Sequence, residues 1–161
     1  MKEYTTEVDV LFSKLKLATD KNKISDIENS ILEIWQKTDD PFINDVIALG
    51  LEQISKERYK DAIATFSHAL IFSKNHAEIY NKRAICYYMR GEFKKAIDDL
   101  KKVLSLEPRH FGALSGLCTI YRELKLDLHT LMTIEKLLRI VPNKEGLSLQ
   151  AKNIRKNLRK N

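Results

Sequence analysis

Apolar residues recur at intervals of three and four along almost the whole chain, as in Val8, Phe12 and Leu15, then Ile27, Ile31 and Trp35, and near the end Leu147, Ala151, Ile154 and Leu158. That spacing follows the 3.6-residue turn of a helix, and no stretch shows the strict alternation of a half-buried strand. Polar breaks at TDKNK, TDDP, SKNH, EPRH and VPNKEG interrupt it, and only three prolines and five glycines occur. The pattern predicts an all-α chain of about nine helices.

A second, longer period lies over the first. Small and large residues return every 34 positions, so that residues 43–76, 77–110 and 111–144 are three gapless copies. Counted from each start, position 4 holds Val46, Tyr80 and Leu114, and position 8 holds Gly50, Ala84 and Cys118. Position 20 holds Ala62, Ala96 and Thr130; position 24 holds Phe66, Leu100 and Ile134; position 27 holds Ala69, Val103 and Leu137. Position 32 is Lys74, Pro108 and Pro142, and the prolines end helices that would otherwise run on. Small residues let two backbones approach, and the large ones fill the gaps between neighbouring pairs.

Three in-frame copies with small residues at 8, 20 and 27 and proline at 32 resemble the tetratricopeptide repeat. Arg83 at position 7, Gln53 at position 11 and Lys74 at position 32 depart from that pattern. The resemblance implies a right-handed α-solenoid of antiparallel helix pairs, each unable to bury its apolar stripe alone. The segments LFSKLK, EIW and LEPRHFGALSGL also resemble a family of short bacterial tetratricopeptide proteins that are commonly exported. That narrower resemblance implies a bacterial source. It also implies an export signal: the chain as it reads fits the cytoplasm, and the periplasm or beyond if a leader has been removed.

The expected organisation has three parts. Residues 1–42 form an N-terminal helical hairpin, a degenerate repeat in which Lys16 and Glu28 occupy the small positions. Residues 43–144 are the three repeats, and residues 145–161 are a basic helix capping the last of them.

Composition removes several function classes. The apolar runs are too short and too charged to cross a bilayer. Cys86 and Cys118 lack disulfide or zinc spacing and read as core residues. His68, His76, His110 and His129 form no metal-ligating motif, and His76 and His110 share position 34 of the repeat. No phosphate-cradling loop follows a strand. No catalytic residue, metal or cofactor is therefore expected.

The resemblance implies that positions 2, 5, 9 and 12 of each first helix line a concave groove that holds a peptide or partner helix. On this chain those positions and their neighbours give Asn44, Ile47 and Leu51, then Glu78, Asn81, Lys82, Ile85, Tyr88 and Met89, then Ser115, Thr119 and Arg122. A competing reading has the N-terminal hairpin fold over the apolar members and make them core. Gly112 and Gly116 fit either a ligand backbone or a packed helix equally. Relatives that clamp chaperone tails ending in EEVD use Lys, Asn and Arg where this chain has Ile47, Leu51, Lys82, Gly112 and Gly116, so no such clamp is expected. The net charge of +6 is concentrated after residue 143, where Lys144, Lys152, Arg155, Lys156, Arg159 and Lys160 face one acid, Glu145. Nucleic acid or an anionic membrane on that helix is the alternative partner. Self-association through an apolar solenoid end is a further expectation.

Overall fold

A computed structural model describes residues 6–160. Among the described residues the chain forms nine helices and no strand: α1 (Glu7–Leu17), α2 (Lys21–Gln36), α3 (Pro41–Ser55), α4 (Tyr59–Phe72), α5 (Ala77–Met89), α6 (Phe93–Leu106), α7 (Phe111–Glu123), α8 (Asp127–Ile140) and α9 (Leu147–Leu158).

Local chemistry sets several helix starts. Thr6 and Asp9 form a reciprocal capping box on α1. Asp20 accepts from the Lys23 N–H at 2.9 Å, and Asp40 accepts from the Phe42 N–H at 2.9 Å, with Pro41 in the first turn. Each of the three repeats turns between its helices through one left-handed residue: Glu57, Gly91 and Lys125, with φ of 56°, 73° and 56°. These lie 34 residues apart, and only the middle copy uses the residue that adopts this conformation without a steric penalty.

The pairs α3/α4, α5/α6 and α7/α8 stack in chain order. Gly50 shows how close they come, since a Cβ there would sit 2.4 Å from the Phe66 ring. Ile79 and Cys86 of α5 pack into the first pair, and Ala113 and Ile120 of α7 pack into the second.

The N-terminal hairpin α1/α2 brings Phe12 and Leu15 together with Ile31 but does not continue this stack. No part of α2 packs on α3; instead α1 lies against α8, and α2 touches α5. Repeat register gives the reason. The residues that dock each pair on its predecessor sit at positions 3 and 10, filled by Ile79 and Cys86, then Ala113 and Ile120, but in the first copy by exposed Asp45 and Glu52. A preceding pair would have to desolvate two carboxylates. The hairpin's apolar face goes to the other end of the molecule, where Phe12, Leu15, Ile24 and Ile31 share one core with Phe111, Leu114, Ile134, Val141 and Ala151 of α9.

Polar contacts fix this docking. Arg109 reaches Asp9 at 2.8 Å and lies 4.3 Å over the Phe12 ring. Asn143 donates to the Ala18 carbonyl at 3.0 Å, and Lys144 pairs with Glu28 at 2.5 Å. Trp35 stacks on His110 with ring centroids 4.6 Å apart.

Candidate functional site: a cleft between the second and third repeats

The first helices of the second and third repeats, α5 and α7, enclose a cleft of about 260 Å³. Its floor is Ala84, Leu100 and Ile120, all buried. Ile85 and Tyr88 form one wall, and Gly112, Gly116 and Thr119 the other. The cleft owes its depth to the glycines: a Cβ on Gly116 would lie 3.1 Å from Leu100 Cδ1. Asn81 closes one end with its side-chain amide, and at the other the Tyr88 hydroxyl donates to the Glu123 carboxylate, linking α5 to α7. That bond raises the Tyr88 phenol above its usual range.

Of the residues expected along the groove, the fold brings Asn81, Ile85, Tyr88 and Thr119 to this cleft. Leu51 and Met89 are exposed on α3 and α5, and Ser115 and Arg122 are exposed on α7 outside the cleft. Asn44 donates to the Thr38 carbonyl at the start of α3. Three expected groove residues are buried: Asn81 still borders the cleft, whereas the other two do not. Ile47, 8% exposed, belongs to the core of the first repeat with Ile43 and Phe66. Glu78, 2% exposed, is closed off and bonded to His110. Position 2 of the second repeat is thus a packing position, because the docked hairpin places Trp35 over the His110 ring.

The Glu78–His110 contact is well defined chemically. His110 Nδ1 accepts the Ala113 N–H at 3.0 Å, so Nε2 carries the proton and donates it to Glu78. Burial pushes the Glu78 carboxyl up, but the hydrogen bond from His110, with Lys82 and Asn81 behind it, outweighs burial and holds it below the ordinary carboxylate range. Lys82 Nζ stands 3.7 Å from the other Glu78 oxygen.

Sequence reasoning missed Ala84, Leu100 and Ile120 as cleft floor. The glycines at positions 2 and 6 of the third copy were the available signal, since removing two side chains from a helix face uncovers what lies beneath. Elsewhere, Cys86 and Cys118 are buried and their thiols are pushed up to about 11, which leaves them protonated and unreactive at neutral pH. Among the described residues no group of three or more His, Cys, Asp and Glu side chains is placed to hold a metal, and no helix is long and apolar enough to cross a membrane. On α9 the apolar face packs inward, while Lys152, Lys156, Arg159 and Lys160 are exposed and Arg155 pairs with Glu135 at 2.7 Å.

Stacked helix pairs with a 34-residue register define a helical-repeat protein, and the chain belongs to the tetratricopeptide-repeat family. The family model described as tetratricopeptide repeat matches residues 77–110. A TPR repeat-containing protein of Rhizobium etli is 35% identical over 135 residues, 84% of this chain and 66% of that protein's length. The chain therefore spans about two thirds of this bacterial relative. Among solved structures, the Sgt2 TPR domain from Aspergillus fumigatus superposes with a TM-score of 0.65 at 17% identity, covering 74% of this chain and 81% of that one. The first TPR of Spaghetti (RPAP3) bound to an HSP90 peptide gives a TM-score of 0.67 at 17% identity, covering 76% and 97%.

Proposed function

We propose that this chain is a non-catalytic adaptor that holds an extended peptide of a partner protein in the cleft between α5 and α7. The observation that carries this reading is the cleft itself, an apolar floor with hydrogen-bonding groups at its ends. Such a surface takes one apolar side chain and meets the neighbouring peptide bond through Asn81, which offers both donor and acceptor. The family supports the same reading, since a relative of this fold is solved with a peptide bound.

Chaperone tails are not the expected peptide. Ile47 is core, Lys82 is engaged with Glu78, and Gly112 and Gly116 supply no cation, so nothing clamps a terminal carboxylate. Selection of a random peptide library on the purified chain tests the proposal. Recovered peptides should carry a recurrent large apolar residue and lose binding to Ile85→Glu and Tyr88→Ala, with helicity by circular dichroism unchanged. Peptides that bind both variants as well as the wild type, or tight binding of a peptide ending in EEVD, would contradict it.

A further inference from the structure

On the other side of α7, between the second helices α6 and α8, lies another cleft, of about 360 Å³. Its floor is Leu104, Leu114 and Leu117, and its rim carries Lys101, Met132 and Lys136. The residues of α7 that line it are about 150° around the helix from those lining the first cleft, so the two openings are separate.

The repeat register explains why this cleft exists. One repeat earlier, the gap between α4 and α6 is filled from within. Arg83 donates through Nε and Nη2 to both oxygens of Asp99, each at 2.7 Å, and through Nη1 to Ser67 at 3.0 Å. Its guanidinium stands 5.6 Å from the centre of the Tyr80 ring and 5.7 Å from that of Tyr87. Thirty-four residues on, Arg83 becomes Leu117, Asp99 becomes Thr133 and Tyr80 becomes Leu114. The plug, its counter-charge and one of its two rings are all gone. Ser67, meanwhile, becomes Lys101.

The third repeat therefore presents an unfilled apolar slot with a lysine on each lip. Among the described residues neither Lys101 nor Lys136 forms an ion pair, and Met132 is 52% exposed. Lys102 lies instead over the Tyr80 ring of the second repeat, and Arg139 lines a separate cleft with Asp9 and Arg109, so the charge at this opening is that of Lys101 and Lys136. Where the second repeat closes the equivalent gap with Arg83 and Asp99, the third leaves a slot that admits a large side chain and is bordered by two lysines outside any ion pair.

We propose that this α6–α8 cleft is a second docking site, taking an acidic segment of a partner protein whose one large apolar side chain enters over Leu114 and Leu117 while flanking carboxylates meet Lys101 and Lys136. Charge complementarity selects the acidic flanks, and the missing Arg83 equivalent provides the room. The site is independent of the α5–α7 cleft and stands or falls separately.

The test uses the full chain and a synthetic peptide with a central phenylalanine flanked on each side by two acidic residues, with a lysine-flanked version as control. Amide shift mapping should place the acidic peptide at Lys101, Leu117, Met132 and Lys136. The pair Lys101→Glu and Lys136→Glu should weaken it about tenfold or more, whereas Ile85→Glu should leave it unchanged. Replacing Leu117→Arg together with Thr133→Asp rebuilds the plug of the second repeat and should abolish binding with helicity retained. Shifts confined to Ile85 and Tyr88, binding indifferent to the lysine substitutions, equal binding of the lysine-flanked control, or no binding at millimolar peptide would each overturn the proposal.

Discussion

Arg83 concentrates the residue-scale physics of this protein. An apolar residue is usual at its repeat position, yet it is held by a two-point ion pair to Asp99, which is 6% exposed, and by two tyrosine rings. The hydrogen bonds to Asp99 push the guanidinium above its already high range. Truncating Arg83→Ala strands a buried carboxylate and should cost about 3 kcal/mol in urea unfolding. Carrying the third repeat's solution into the second, Arg83→Leu with Asp99→Thr, removes charge and counter-charge together and should recover most of that loss. A double variant no more stable than Arg83→Ala would show that the rings, not the ion pair, hold the site together.

At the scale of elements, the N-terminal hairpin docks at two carboxyl groups held below their ordinary range, Glu78 by His110 and Asp9 by Thr6 and then Arg109. Its Trp35 lies over His110, and His110 is bonded to Glu78, whose carboxyl is held below its ordinary value of 4.5. A carboxyl depressed on folding contributes stability that is complete above about pH 4.5 and is lost as pH falls through the lower folded value. Asp9, held down to about 2 by the Thr6 hydroxyl and N–H and then by Arg109, gives way further into acid. Trp35 is the single tryptophan, so its fluorescence reports hairpin docking directly. We expect the emission to change below pH 4.5 in the wild type. In Glu78→Gln the neutral-pH stability should fall by about 2 kcal/mol and the acid step should flatten. An unchanged acid profile in that variant would remove Glu78 from the account.

For the molecule as a whole, the decisive feature is that the two ends of the repeat stack are finished differently. The first two helices and the last meet at the third repeat, where α1, α2 and α9 share a core with α7 and α8. The first repeat instead ends on Asp45 and Glu52, acidic residues at the two positions that dock successive pairs elsewhere. Replacing Asp45→Ile and Glu52→Leu gives this edge the character of α5 and should cause concentration-dependent association in sedimentation velocity, about tenfold stronger than any shown by the wild type. No change in sedimentation would mean that those two carboxylates do not keep the end closed to further pairs.

The sequence by itself determined the helices, the repeat and the identity of most of the core, because a helical face and a 34-residue register are written in the order of residues along the chain. Part of the cleft between α5 and α7 was legible through the family resemblance: Asn81, Ile85, Tyr88 and Thr119 stand at the repeat positions that the resemblance assigns to a groove. Even the polar edge at Asp45 and Glu52 was present in the register, though its meaning shows only beside the buried Ile79 and Cys86. Where the hairpin goes was decided by the tertiary structure. An apolar stripe specifies that it must be covered but not by which surface, and the choice fell on the third repeat because the adjacent edge carries charge. That choice turned Glu78 from a groove residue into a buried partner of His110. The gap left by Leu117 and Thr133 belongs to the same category, since a cavity is a property of the side chains facing one another across three helices, and no single helix records it.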